Sequence, residues 1–181
     1  MEWEKITMNK MKKVLALLLS VLLLVSLLTA CAGGGAKGAA TKFAKAMFDP
    51  KGGKTIVDLL PKAFVDAGLE EGTYEDKNAM ADAMNDGLQV IADGLEEEYG
   101  KYKVTVKAGD VEEWDEDEIE AYNGLMALGN VDMEVKEGAD VDLEITIKGK
   151  DGKDSQDLTL SVIKADGKWC VDPLSLAMLG M

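Results

Sequence analysis

Cys31 and Cys170 are the only thiols in this 181-residue chain, which contains no histidine and no arginine. A thiol becomes a nucleophile when a neighbouring base or cation lowers its pKa. The missing imidazole removes the side chain best suited to that task near neutral pH. Cys170 is therefore read as a buried, inert thiol, with pairing between chains as the alternative. Carboxylates are the other group able to do chemistry, and they concentrate in Glu112-Glu113-Trp114-Asp115-Glu116-Asp117-Glu118-Ile119-Glu120. Within that run Asp115, Asp117 and Glu120 are the candidates for holding a divalent cation. The spacing fails the calcium-loop pattern, because no glycine stands six residues in and no liganding glutamate closes the loop at position twelve. Asp115 three residues ahead of Glu118 instead fits a capping box, and the negative first turn suits a helix N-terminus. A helix start is the primary reading and weak surface cation binding the alternative; no cofactor is expected.

A buried acid bonded to a phenol is another catalytic device. Asp58, Asp66, Tyr74, Asp82, Tyr99 and Tyr102 supply the types, but each reads better as a solvated face or a core-edge aromatic. There is no Gly-x-Ser-x-Gly elbow, phosphate loop, Cys-x-x-Cys pair or metal-spaced histidine cluster. Catalysis is not expected.

Lys10, Lys12 and Lys13 precede an apolar run from Val14 to Leu28, broken only by Ser20 and Ser26 and closed by Leu28-Thr29-Ala30-Cys31. A basic start, an apolar centre and small residues at the end make a secretory signal. The run is shorter than the roughly 20 residues that a spanning helix needs. Leu28-Thr29-Ala30-Cys31 resembles the lipobox of bacterial lipoproteins. That resemblance implies cleavage before Cys31 and a diacylglyceryl group, with palmitate-type acyl chains, on its thiol. An uncleaved membrane anchor is the alternative. Two acyl chains give lasting attachment where one gives marginal binding, which places the mature protein on the outer face of the cytoplasmic membrane. With Cys31 consumed by lipid, no intramolecular disulfide framework can form.

Four lysines and two glutamates lie in residues 1–30, so residues 31–181 carry 16 lysines against 32 acidic side chains, a formal net charge of −16. Such an excess repels nucleic-acid phosphates and anionic headgroups, and no basic patch or guanidinium fork is present to recognise them. The charge keeps the domain soluble and monomeric; an acidic surface facing cations or basic peptides is the alternative. The organisation is a signal peptide (1–30), a lipidated cysteine with a flexible Gly/Ala tether (31–40), and one domain (41–181), large enough for a real core. Fully extended, the tether reaches about 30 Å, which keeps the domain close to the bilayer.

Thr41 is placed as the cap of a first helix containing Phe43, Ala44, Met47 and Phe48. A second runs from about Lys54 to Asp66, bent or divided by Pro61. The longest runs from about Glu75 to Tyr99, with Met80, Met84, Leu88, Ile91 and Leu95 as one apolar stripe that Gly87 and Gly94 weaken. The period then changes to two. Alternation predicts strands at Tyr102–Ala108, at Val131–Val135, at Val141–Ile147 after a turn at Glu137-Gly138, at Leu158–Val162, and at Trp169–Val171 after an Asp166-Gly167 hairpin. A short helix with Ile119, Tyr122, Leu125, Met126 and Leu128 separates the first two. Five antiparallel strands with one wet face, covered by helices on the dry face, make this an α+β domain.

This order, ending in Ala165-Asp166-Gly167-Lys168-Trp169-Cys170-Val171-Asp172, resembles the NTF2-like (cone-shaped, cystatin-like) domains of small exported lipoproteins, common in Gram-positive bacteria. The resemblance covers about residues 40–173 and implies N-terminal helices packed on a curved antiparallel sheet. A curved sheet roofed by helices leaves a wedge for an apolar or mixed ligand. Met80, Met84, Met126, Met133 and Trp169 are the candidate lining, because thioethers conform to irregular shapes. The expected function is a membrane-anchored, non-catalytic ligand-binding or interaction module. Its expected partners are the membrane, through modified Cys31, and an apolar or peptide ligand or envelope protein. The alternatives are an assembly partner at the envelope with no small ligand, and an NTF2-like enzyme that works without histidine.

Overall fold

The first helix among the described residues, α1 (Ala36–Ala46), begins five residues before Thr41. The computed structural model describes residues 35–178; the leader, Cys31 and the start of the tether lie outside the described residues. Residues 36–40 are thus helix rather than tether. Alanine is the best helix former, and its small side chain lets α1 lie close on the sheet, where Ala39, Ala40, Phe43 and Ala44 are buried and the helix touches all four strands.

Pro61 divides the second helical stretch into α2 (Gly53–Leu59) and α3 (Lys62–Glu70). Leu60, the residue before it, is extended at φ −80°, ψ 149°, as the proline ring requires of its predecessor. The long helix α4 (Lys77–Tyr99) is capped by Asp76, whose side chain accepts from the backbone of Asn78 and Ala79, and it ends at Gly100 with φ +66°. Met80, Ala81, Leu88 and Ala92 are buried along it.

The strands β1 (Lys103–Glu113), β2 (Glu137–Lys148), β3 (Lys153–Ala165) and β4 (Lys168–Val171) form one antiparallel meander in the order β1-β2-β3-β4. A bulge between Ala108 and Val111 shifts the β1–β2 register. Asp166 and Gly167, both at positive φ, make the β3–β4 hairpin, as an Asp-Gly pair predicts. Between β1 and β2 stands α5 (Glu116–Leu128); α6 (Pro173–Met178) follows β4.

Two expectations need correction. The described residues hold four strands, not five. Residues 131–136 form no ladder, and Glu137-Gly138 opens β2 instead of turning. The side-chain amide of Asn123 accepts from the Val135 N–H (2.8 Å) and donates to the Val135 carbonyl (2.9 Å), so an α5 side chain takes the place of a neighbouring strand. The sheet is also covered on both faces at one end. On one face α1, Ile56 of α2 and Leu88 of α4 pack with Val106, Val141, Leu143, Leu160, Val162 and Val171. On the other, Tyr122 and Met126 of α5 pack with Val135, Ile163 and Cys170. Gly138 permits this second layer: a Cβ there would stand 2.1 Å from the ring of Trp114. The rest of that face is polar, with Thr159 donating to Asp142, Ser161 to Asp140, and Lys107 paired with Glu144.

Candidate functional site

An open groove of about 410 Å³ runs between α2 and α4. Ile56 of α2 and Leu60 just beyond it line one side; Met84, Leu88 and Ile91 line the α4 side; Met47 and Leu176 also contribute. Every lining side chain is apolar. The crossing is set by Gly53, where a Cβ would fall 2.1 Å from the Ala81 carbonyl oxygen. The Gly53 N–H donates to the Asn85 side chain at 2.8 Å, tying α2 to α4 there.

Ala83 and Gly87 complete the lining, and with Val90 and Gly94 they form a second stripe on α4, spaced 4, 3 and 4. All four are exposed, Val90 at 72%. A Cβ on Gly87 or Gly94 would meet nothing within 4 Å. Each glycine costs about 1 kcal/mol of helix stability relative to alanine, and no contact among the described residues requires either one.

The five residues expected to line a pocket are spread over three clusters. Met80 is buried among Val57, Val65 and Ala81. Met126 is buried under α5, with Met133 packed beside it. Trp169 is half-buried against the α1 side of the sheet, on the same face as Val171. Met84 alone of the five lines the groove.

At the acidic run, Asp115 caps α5 in a capping box: the Glu118 N–H donates to Asp115 (2.9 Å) and the Asp115 N–H to Glu118 (2.8 Å). Asp117 and Glu120 are exposed on the helix. Among the described residues no three carboxylates, cysteines or histidines converge to hold a metal.

A buried phenol–carboxylate bond does exist, but between residues that sequence reasoning passed over. The Tyr122 hydroxyl donates to Asp172 at 2.6 Å, and Asp172 is only 4% exposed. Burial first, and then this bond, push the Tyr122 phenol far above its ordinary range. Asp172 also accepts from the Leu174 N–H, the Ser175 N–H and the Ser175 hydroxyl. It is the cap of α6, so its acceptor sites are filled by structure. The available signal was Asp172-Pro173-Leu174-Ser175, a capping residue followed by proline at the first helical position. Of the acids named from sequence, Asp58 and Asp82 are exposed, and Asp66 is ion-paired with Lys62.

Cys170 is fully buried, and burial raises its thiol pKa, which disfavours the nucleophilic thiolate. At the C-terminal end of α4 the field is negative. Burial is the main cause of a raised Tyr102 pKa, with Glu96, Asp93 and Asp49 adding to it. No helix among the described residues is long and apolar enough to cross a membrane. Compared with protein-family models, curated proteins and solved structures, the chain finds no match in any of the three.

Proposed function

We propose that this chain is a lipid-anchored, extracytoplasmic lipoprotein whose domain is a non-catalytic binding module of the NTF2-like, cone-shaped kind. The α2–α4 groove is its ligand site. The observation that carries the reading is the groove itself, an open channel with no polar side chain in its lining. Ligand sites are concave and lined mostly by apolar side chains. The anchor is supported by the order of residues 10–31. The cone is supported by helices preceding an open antiparallel meander and by Trp169 after the Asp166-Gly167 hairpin. A non-catalytic role is supported by the absence of histidine and by the burial of Cys170.

A second reading, assembly with another envelope protein, draws on Leu125 and Leu128 of α5, which are 55% and 83% exposed and lie away from the groove. A ligand that binds only the native state must raise the melting temperature by linkage. A thermal-shift screen over lipids, short peptides and divalent ions therefore tests the proposal. Stabilisation by an apolar or amphipathic ligand, abolished by Met84→Glu, is the expected result. Stabilisation by divalent ions alone would move the site to Asp115, Asp117 and Glu120, and silence throughout would leave the assembly reading.

A further inference from the structure

Resting on the assignment of the α2–α4 groove as the binding site, we infer that its occupant is a basic amphipathic helix presented by a partner protein or peptide. α4 carries two apolar stripes. The inner one, through Met80 and Leu88, is buried in the protein's own core. The outer one, Ala83-Gly87-Val90-Gly94, is exposed and repeats at 4, 3 and 4. Its length is about 16 Å. That spacing is the seam of a helix–helix pair, in which apolar residues at alternating intervals of three and four meet knobs from a second helix. Small residues in a seam let the two backbones come close, since interaxial distance follows the side chains at the contact. Gly87 and Gly94 have open space where a Cβ would stand, so among the described residues nothing fills the room they leave. The neighbouring groove, walled by Ile56, Leu60 and Ile91, receives the same helix's larger apolar side chains.

Charge selects the partner's sign. In the 4-3-4 register Asp86 and Asp93 flank the seam, one heptad apart, and Glu97 takes the next seam position and ends its uncharged run. No lysine pairs with any of the three among the described residues. Among the described residues, Asp93 accepts from the Gln89 side chain of its own helix alone. Across α4 six acidic residues face one lysine, Lys77, while Lys54 and Asp58 of α2 cancel. A second copy in antiparallel arrangement would set Asp86 and Asp93 of the two helices against each other. Lysines or arginines flanking the apolar face of an incoming helix would instead complete the flanking pairs that fix partner choice and orientation.

The test uses the full chain in phosphatidylcholine nanodiscs, with empty nanodiscs as the subtracted baseline. The probe is a fluorescein-labelled 18-residue Leu/Lys peptide of helical spacing. Its controls are the Leu/Glu counterpart and oleate. The expected result is micromolar binding of the Lys peptide, weakened by salt because exposed pairs are screened. Gly87→Leu, which fills the seam while favouring the helix, is expected to weaken it at least tenfold with no fall in melting temperature. Asp86→Lys combined with Asp93→Lys is expected to reverse the preference, so that the Glu peptide binds and the Lys peptide does not. Equal binding of both peptides would overturn the charge selection and leave the groove's assignment standing. Stabilisation by oleate with neither peptide bound would overturn the helical occupant and likewise spare the groove. Failure of all three ligands would overturn both.

Discussion

The hydroxyl of Tyr122 donates to a carboxylate that is itself shut away from water, and that carboxylate also closes the N-terminus of α6. Hydrogen bonds to charged groups contribute about 1.5–3 kcal/mol, so Tyr122→Phe is expected to lower stability by about that amount in chemical denaturation. The pH dependence has a definite sign. The folded phenol holds its proton well above the free-tyrosine value of 10.0, so its contribution is complete below that pH. Above it the unfolded chain ionises while the folded one does not, and stability falls as pH climbs. Between about pH 10 and 11.5 the native protein is expected to lose stability more steeply than Tyr122→Phe. Equal slopes would show that the phenol is not held as described. The pair marks the limit of reasoning from residue types, because the acid and phenol that meet are 50 residues apart in sequence and only the fold brings them together.

α5 is held over the sheet by two devices, each with its own signature. Asn123 substitutes for a strand along residues 131–136 by bonding both backbone groups of Val135. Asn123→Ala leaves that buried N–H and C=O unpaired, at a cost of about 1–3 kcal/mol each way. The Val135 amide is expected to lose most of its hydrogen-exchange protection while amides in β2 and β3 keep theirs; unchanged exchange at Val135 would mean the segment is held by something else. Gly138 provides the second device by leaving space for the Trp114 ring. Gly138→Ala forces the ring to shift, and overpacking of this kind costs about 1–3 kcal/mol. Trp114 also packs on Tyr122, with ring centroids 5.4 Å apart. The loss should therefore come with a change in tryptophan emission, and an unchanged spectrum would argue against the close approach. The alternation Val131-Met133-Val135 was a true pattern of burial, for Val135 is 1% exposed. It predicted a strand because period two reports which side of a chain is covered, not what pairs with its backbone.

On the scale of the molecule, the chain is strongly acidic, with 34 aspartates and glutamates against 20 lysines. Under the proposed lipoprotein function, the acyl chains and not the protein surface hold it at the bilayer. Cys31→Ser is expected to move the protein from the membrane fraction to the soluble fraction and to abolish incorporation of a labelled fatty acid. Retention of an uncleaved, membrane-integral Cys31→Ser protein would make the leader a permanent anchor. Attachment of the native protein should withstand high salt, which screens charges but leaves acyl burial intact.

The sequence by itself determined the α+β class, the break at Pro61, the extent of α4 to within two residues (about Glu75 to Tyr99 against Lys77–Tyr99), the capping box of α5 and the β3–β4 hairpin. Each of these depends on residues within a few positions of one another, where propensity, capping and turn chemistry act locally. It also showed the inner stripe of α4 and the two glycines that weaken the helix. Tertiary structure alone decided that α1 begins at Ala36, that the second face of the sheet is covered by α5, that Val135 pairs with a side chain, and that Gly87 and Gly94 lie on an exposed seam beside a groove. Those outcomes rest on which surfaces meet. Periodicity records that a face is buried or bare; only the meeting of distant segments says against what.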